Sequence, residues 1–206
     1  MRIIGIDPGT RYAGFGVIAA DGARLRRIAG GCIRAGPNEL PKRLAAIHHG
    51  LAEAIRRHAP EEAAIETVFA GDNIRTAIAI GEARGAAVIA AAAAGLPVIG
   101  YEPATVKRAV AGSGGAGKNQ IREMVRVLLE LPEPPDTEHE ADALALAVTH
   151  ALRRRTADGA GTSTLPAQVR EALKPRALPE HILAQLPPNL PRNRSRHGLF
   201  AFRRGK

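Results

Sequence analysis

The first 33 residues have the apolar pattern of three β-strands. Residues 2–7 form a short apolar run that predicts a buried strand and ends on Asp7. Residues 12–20 and 23–33 are also strand-like. The dipeptide Asp21-Gly22 that joins them is typical of tight hairpin turns. We therefore predict one buried strand followed by a hairpin.

The spacing then changes to that of a helix. Apolar residues recur every three or four positions, at Leu40, Leu44, Ile47, Leu51 and Ile55. This spacing places them on one face of an amphipathic helix, which Pro60 follows. Residues 63–69 predict a fourth strand, the Ala-rich residues 73–94 a second helix, and residues 97–101 a short fifth strand.

The remaining pattern is helical as far as about residue 155. A helical turn at 104–110 leads into a glycine-rich loop at 112–117, and helices are predicted at 118–131 and from about 137 to 155. Three strands followed by alternating helices and strands, and then by two helices, predict a mixed sheet with helices on its faces, which is an α/β fold.

Charge divides the chain into two parts. The net charge of the whole chain is +9, and all of this excess lies after residue 152. From about residue 156 the periodicity also stops, and six prolines and scattered arginines follow. We predict a folded domain at 1–155 and a basic, flexible C-terminal extension rich in Pro and Arg at 156–206. Such an arm either binds polyanions without sequence preference or serves only as a solubilising tail.

Composition restricts the compartment in which the protein works. The single cysteine, Cys32, excludes an intramolecular disulfide framework. We expect no signal peptide, because the first two residues lead straight into a strand-like run, and we expect the Ala-rich stretch at 86–94 to be too short and too weakly apolar to span a membrane. We expect a cytoplasmic protein that does not contact a membrane.

Three acidic residues stand where an uncompensated charge is costly. Asp7 and Glu66 each end an apolar run, and Asp142 lies within an apolar helix. A carboxylate among core residues requires a partner, and a metal ion suits several carboxylates at once. Carboxylates from the ends of two strands and from one helix are typical of a magnesium nuclease site.

Three motifs that contain these acids resemble a known family. Residues 5–10 (Gly-Ile-Asp-Pro-Gly-Thr), 64–69 (Ala-Ile-Glu-Thr-Val-Phe) and 141–147 (Ala-Asp-Ala-Leu-Ala-Leu-Ala) resemble the RuvC family of bacterial Holliday-junction resolvases, and the likeness covers residues 1 to about 155. The resemblance implies an RNase H-like fold with a mixed five-stranded sheet, and a homodimer. It also implies magnesium-dependent, paired symmetric nicking of four-way junction DNA in recombination and repair, with RuvA and RuvB as partners.

The resemblance also implies a role for each site residue. Asp7 would bridge two Mg²⁺ ions, which Mn²⁺ can replace, while Glu66 and Asp142 would hold the flanks. His139 stands where relatives carry Asp or His, on the same helix face as Asp142. His139 would favour Mn²⁺ as a ligand or would deprotonate the attacking water, and both roles stay open. Glu138 is a rival ligand.

Four further residues are candidates for contacts with DNA. Phe69 matches a family aromatic that stacks on junction bases, and base stacking is tolerant of sequence. Lys107 and Lys118 match family lysines that face the DNA backbone and the scissile region. Arg75 is a candidate without a family match. We expect the Ala-rich helix at 73–94 to form the dimer surface, because small side chains allow close packing.

Some features of the sequence are shared with other classes of protein. The loop from Gly112 to Asn119 nearly fits the phosphate-binding pattern GxxxxGK[ST], but Asn119 replaces the required hydroxyl and no convincing strand enters the loop. The opening Asp-Pro-Gly turn also occurs in actin-like sugar kinases, which need a second domain. Another RNase H-like nuclease of the RNA-processing YqgF type and a non-catalytic junction-binding protein remain as alternatives.

Overall fold

The predicted strands form a single sheet. The computed structural model describes residues 1–67 and 74–157. The strands are β1 (Arg2–Asp7), β2 (Tyr12–Asp21), β3 (Arg24–Arg34), β4 (Glu62–Glu66) and β5 (Val98–Tyr101). Their order is β3-β2-β1-β4-β5. The hairpin pairs are antiparallel, whereas β1–β4 and β4–β5 are parallel. The predicted mixed five-stranded sheet is confirmed.

Helices cover both faces of this sheet. They are α1 (Leu40–His58), α2 (Ile74–Ala93), α3 (Pro103–Ala111), α4 (Lys118–Leu128) and α5 (Glu138–Ala157). Because side chains alternate along a strand, Ile3 packs into the core beneath α3, α4 and α5, whereas Ile4 and Ile6 pack beneath α1 and α2. Both sides of β1 are therefore apolar, as its short apolar run predicted.

The helical segment predicted at 104–110 is confirmed as α3, which extends one residue further at each end and has a proline at its start. Two other predicted boundaries were wrong. Strand β4 ends at Glu66 instead of residue 69, and residues 68–73 lie outside the described residues. Helix α4 ends at Leu128 instead of residue 131, because Glu130 adopts a positive φ of 53° and the chain turns there. Residues 158–206, most of the predicted extension, also lie outside the described residues.

Helix α5 lies directly on the backbone of β1 and β2. A methyl group at Gly5 would overlap the carbonyl oxygen of Ala143, and one at Gly14 would overlap that of His139. At Gly16 it would lie 2.6 Å from Cγ of Leu144. We call Gly5, Gly14 and Gly16 the glycine floor. Any side chain there would lift α5 from the sheet, so the floor sets how closely α5 approaches the ends of the strands.

Helix α2 has an apolar outer face. It buries Ala83, Ala87, Ala90 and Ala91 against the domain, whereas Ile74, Ile78 and Ile89 are exposed, Ile74 by 71%. By length and composition it is the one helix of residues 1–67 and 74–157 that could cross a membrane, a test that core helices of water-soluble proteins also pass. Nothing else in that part of the chain covers its exposed isoleucines.

Candidate active site

Two strands and one helix bring the four predicted site residues together. Strands β1 and β4 run parallel with Ile6 opposite Ile65, so the next residues, Asp7 and Glu66, end side by side at one edge of the sheet. The glycine floor holds the first turns of α5 over the same edge. His139 and Asp142 lie on those turns, one turn apart on one helix face. The cluster is thus built from elements that are far apart in sequence.

Asp7 is the centre of the cluster. His139 Nδ1 lies 2.8 Å from Asp7 Oδ2, so the imidazole N–H donates to this carboxylate. Asp7 also shares a hydrogen bond with Glu66, and its negative charge acts on Asp142. The Asp7 side chain is only 14% exposed. Every other member of the cluster therefore interacts with Asp7.

Burial and like charge make two of the carboxyls hard to ionise. Burial, followed by the charges of Asp7 and Asp142, raises the pKa of Glu66 to about 7. Burial and the charge of Asp7 raise the pKa of Asp142 to about 6. Two lysines oppose these shifts, Lys107 at Glu66 and Lys118 at Asp142. At neutral pH the cluster thus holds repulsion that a bound cation would relieve.

His139 is held from two sides. The hydrogen bond to Asp7 raises the pKa of the imidazole, while burial opposes that rise. The ring of Tyr12 stacks on the imidazole, with 5.7 Å between ring centroids and 19° between their planes. Since Nδ1 is engaged by Asp7, Nε2 is the nitrogen left to face a ligand. Tyr12 was missed in the sequence, where it carried no signal beyond being an aromatic residue next to a conspicuous turn.

The two predicted lysines lie beside the carboxylates. Lys107 on α3 is half-buried and lowers the pKa of Glu66. Lys118, the first residue of α4, is exposed, and its Nζ lies 2.6 Å from Oε2 of Glu138. This contact raises the pKa of Lys118 and lowers that of Glu138. Glu138, considered above as a rival ligand, is therefore paired with a lysine.

The structure does not bring Arg75, the third of the DNA-contact candidates, into the cluster. Arg75 is exposed in the first turn of α2. Phe69 lies outside the described residues, so its predicted stacking role stays a prediction.

The donor set fits a divalent metal ion by its chemistry. Carboxylate oxygens are the ligands that Mg²⁺ prefers, and imidazole is suited to Mn²⁺ and softer ions. Burial and the neighbouring negative charges raise the pKa values of Glu66 and Asp142, and a cation bound between these carboxylates would oppose that rise. Within residues 1–67 and 74–157, no three His, Cys, Asp or Glu side chains already stand at the spacing of a formed metal site. The fit therefore rests on donor type and charge, and the hydrogen bond from His139 occupies one Asp7 oxygen.

An ion pair that sequence reasoning missed anchors the start of α5. Arg27 donates to Oε1 of Glu140 from Nε at 3.0 Å and from Nη2 at 2.6 Å, and Glu140 is 2% exposed. Ile28 is an extra residue in the pairing of β3 with β2. This bulge turns Arg27 toward the sheet face that carries α5. Glu140 lies between His139 and Asp142, so the ion pair fixes the helix turn that presents both.

Two more polar contacts fix the backbone of the site. The Thr137 hydroxyl accepts a hydrogen bond from the Glu140 N–H at 3.1 Å and so caps α5. The sequence signal for this cap was available, because Thr137 and Glu140 stand at capping-box spacing. On the other side, Arg84 Nε donates to the backbone carbonyl of Glu66 at 3.1 Å. That contact holds the end of β4 where Glu66 enters the cluster.

Comparisons with known proteins agree on one family. Residues 3–150 match the family described as "Crossover junction endodeoxyribonuclease RuvC". Proteins of that description from Azorhizobium caulinodans and Pelotomaculum thermopropionicum are 50% and 49% identical to the chain over 155 and 152 residues. These matches cover 75% and 73% of the chain, and 91% and 93% of the relatives.

Solved structures agree with this match. Thermus thermophilus RuvC in complex with a Holliday junction substrate has a TM-score of 0.72 and 40% sequence identity, and the match covers 76% of this chain and 96% of that one. The yeast mitochondrial Holliday junction resolvase Ydc2 has a TM-score of 0.55 at 11% identity, over 83% of this chain and 82% of its own, which shows the fold alone. The predicted RNase H-like fold is confirmed.

Proposed function

The chain belongs to the RuvC family of crossover junction endodeoxyribonucleases, and we propose that the cluster centred on Asp7 is where it cuts DNA. As a member of this family it is a metal-dependent nuclease that resolves Holliday junctions in recombination and repair. The observation that carries the site assignment is the convergence of Asp7, Glu66, His139 and Asp142 from β1, β4 and α5 on one edge of the sheet.

Hydrolysis of a phosphodiester requires an in-line water and a stabilised leaving oxygen. Two Mg²⁺ ions, replaceable by Mn²⁺, would be held at the site by Asp7 as the central ligand and by Glu66, Asp142 and His139 as flanking ligands. A divalent ion held there supplies a Lewis acid for the phosphate and lowers the pKa of the attacking water. What supports this assignment is that burial and the repulsion between neighbouring carboxylates both raise the pKa values of Glu66 and Asp142, since a bound cation would offset both effects.

The protein's own groups orient this chemistry. Asp7 accepts the Nδ1–H of His139 and so fixes which imidazole nitrogen faces outward. Through Nε2, His139 can ligate a metal ion or accept a proton from water, and both roles use the nitrogen that Asp7 leaves available. Lys107 and Lys118 place positive charge next to the carboxylates, where a scissile phosphate would lie.

DNA binding involves residues around this site. We propose that Lys107, Lys118 and Arg75 contact phosphates without reading sequence, and that Phe69 stacks on a junction base. Lys118 stands at the first residue of α4, where the helix dipole adds to its attraction for an anion. We further propose that the basic residues 156–206 raise general affinity for DNA, with a steep dependence on salt.

A second copy of the chain is the proposed occupant of the outer face of α2. Its exposed Ile74, Ile78 and Ile89 lie along a helix whose Gly81 and Gly85 leave open space where side chains would stand. Small residues four apart let two helices approach closely, and the flanking isoleucines would be buried by the contact. A homodimer would also place two active sites for paired cuts. We propose RuvA and RuvB as further partners and the cytoplasm as the location.

The deciding experiment is cleavage of a labelled four-way junction beside a linear duplex of matched sequence. It compares Mg²⁺, Mn²⁺ and EDTA, and it compares the intact chain with Asp7→Asn and with Asp21→Asn. Asp21 is exposed in the hairpin turn at the far end of the sheet, so it is a matched acidic control. We expect paired symmetric nicks in the junction alone, lost in EDTA and in Asp7→Asn and kept in Asp21→Asn. Cutting of RNA or linear DNA would indicate another RNase H-like nuclease. Tight binding without cutting in either metal would indicate a junction-binding protein.

A further inference from the structure

We propose that Tyr12 is a positioning residue for His139, holding the plane of the imidazole so that Nε2 faces the reaction. The stacked pair of rings described above carries the proposal, with 5.7 Å between centroids and 19° between planes. It rests on the proposed function, because it concerns how one member of that site is held.

Tyr12 stands at one end of a row of residues on β2. Tyr12, Gly14 and Gly16 alternate along the strand and so share the face that α5 covers. Gly16 lies under Leu144, and Gly14 lies under the carbonyl of His139. The next residue of the row is Tyr12, whose ring meets the side chain of His139 instead of the helix backbone. On β2, the row of glycines under α5 is thus followed by the aromatic ring of Tyr12, which lies at the first turn of the helix.

A single hydrogen bond does not fix an imidazole. The torsion that turns the ring about its Cβ–Cγ bond is broad and roughly two-fold, so the contact from Nδ1 to Asp7 leaves the ring free to tilt. A parallel ring on one face removes that freedom. The contact with Asp7 determines which nitrogen of His139 is left to face the reaction, and the contact with Tyr12 determines the orientation of the imidazole plane.

The exposure of Tyr12 supports a local role. The residue is 46% exposed at the edge of the site and belongs to neither core cluster. Removing its ring therefore takes little from the core. Because the ring makes the contact, phenylalanine at this position preserves the stack, while alanine abolishes it.

A double-mutant cycle tests the proposal with five proteins: the wild type, Tyr12→Ala, Tyr12→Phe, His139→Ala and the double variant Tyr12→Ala/His139→Ala. Single-turnover cleavage rates and junction Kd are measured for each, after thermal unfolding has confirmed that each folds. We expect Tyr12→Ala to lower the cleavage rate on the order of five-fold, as for loss of one aromatic pair, with Kd unchanged. Tyr12→Phe restores the rate. In the His139→Ala background, Tyr12→Ala causes no further loss.

Three results would overturn the proposal. A Tyr12→Ala loss that persists in the His139→Ala background means that Tyr12 does not act through His139. A weakened junction Kd means that it contacts DNA directly. A Tyr12→Phe variant as slow as Tyr12→Ala means that the hydroxyl acts instead of the ring.

A second readout does not depend on cleavage. The imidazole resonances of His139 in NMR spectra of the protein in EDTA sense the ring current of Tyr12, so Tyr12→Ala should shift them and Tyr12→Phe should not. If the wild type fails to cut junctions, the proposed function fails while this readout still tests the ring pair. Unchanged His139 resonances in Tyr12→Ala would refute the stacking itself.

Discussion

Arg27 and Glu140, 113 residues apart in sequence, form an ion pair at the start of α5 in which two guanidinium nitrogens donate to one carboxylate oxygen. Glu140 is nearly inaccessible to water, so the hydrogen bonds from Arg27 replace those that water would otherwise make to its carboxylate. The same helix turn carries His139 and Asp142. An interaction between charges that take no part in the chemistry therefore determines where two of the site residues stand.

Arg27→Ala should destabilise the protein and slow cleavage. The change leaves a buried carboxylate unpaired, and because Arg27 itself is about one-third exposed we expect a loss of about 1–3 kcal/mol in the free energy of unfolding. Urea unfolding measures it. Arg26→Ala, at the exposed neighbouring position, is the matched control and should be neutral. In Arg27→Ala/Glu140→Ala the second change should recover stability, and a double variant less stable than Arg27→Ala would contradict the account.

Gly14→Ala should displace α5. The added methyl group overlaps the carbonyl oxygen of His139, and neither backbone can give way without the helix moving. We expect a loss of about 2–3 kcal/mol in the free energy of unfolding, and a loss of cleavage that exceeds the loss of junction binding. Gly115→Ala is the control, because its nearest neighbour would lie 3.8 Å away, at Ser113 Oγ. Thermal unfolding and cleavage assays on both variants check this. Wild-type cleavage by Gly14→Ala would refute the glycine floor as a spacing device.

Stability in EDTA should fall as pH rises from about 4 to about 7. Glu66 and Asp142 ionise near pH 7 and 6 in the folded protein, compared with ordinary values of 4.5 and 3.8. Between those limits the folded state binds more protons than the unfolded state, so raising the pH favours unfolding. The raised pKa of His139 acts in the same direction. After allowance for partial exposure, we expect a total loss on the order of 2 kcal/mol.

Urea unfolding at several pH values measures this slope. Glu66→Gln/Asp142→Asn should flatten it, whereas Asp21→Asn, in the exposed turn, should leave it unchanged. Adding Mg²⁺ should restore stability at pH 7 in the intact chain and not in the double variant. A wild-type slope equal to that of Glu66→Gln/Asp142→Asn would mean that the two carboxyls are not crowded as described.

His139→Asp should change the preference for metal ions. A carboxylate adds one negative charge and a hard oxygen ligand, so the ratio of cleavage in Mg²⁺ to cleavage in Mn²⁺ should rise by roughly tenfold. His49→Asp, an exposed position on α1, controls for the added charge alone. Rates at saturating metal give the ratio. If the ratio is unchanged but the substitution alters the dependence of the cleavage rate on pH, His139 is the proton acceptor instead of a ligand.

Glu138→Gln should tighten junction binding at low salt. Glu138 holds the Nζ of Lys118 at 2.6 Å, and its neutral analogue leaves the full lysine charge for phosphate. We expect Kd to fall about two- to five-fold, because the pair is exposed and therefore weak. Lys118→Ala should weaken binding and reduce the slope of log affinity against log salt concentration by about one. Lys42→Ala, at an exposed position on α1, should do neither. Binding titrations at several salt concentrations measure both effects. If Glu138→Gln binds the junction with unchanged affinity, Lys118 does not contact the DNA.

The sequence predicted the sheet and the acidic cluster because each leaves a local signal. Strand and helix periods are read over a few residues, and carboxylates within apolar runs are conspicuous. The end of β4 was not predictable from the run at 63–69. Its last pair is Glu66 with Tyr101, and β5 has only four residues before Pro103 starts α3, so no partner remains for a longer strand.

Contacts between distant residues left no such signal. In the sequence nothing distinguishes Arg27 from the neighbouring arginines. Only the bulge at Ile28 and the position of Glu140 identify it as one half of an ion pair. Tyr12 and His139 are 127 positions apart, and only the placement of α5 over β2 brings their rings together. Tertiary packing determines such pairs. The chemical groups of the site can therefore be predicted from the sequence, but the contacts that orient them cannot.

The glycine floor also bears on how this protein can vary over generations. Gly5, Gly14 and Gly16 have no side chain that could take part in the chemistry, yet every one of the other nineteen amino acids carries a β-carbon that α5 leaves no room for. Such positions would be as intolerant of change in a mutational scan as the acids of the site. A lineage could more readily exchange His139 for another ligand than acquire a side chain beneath it.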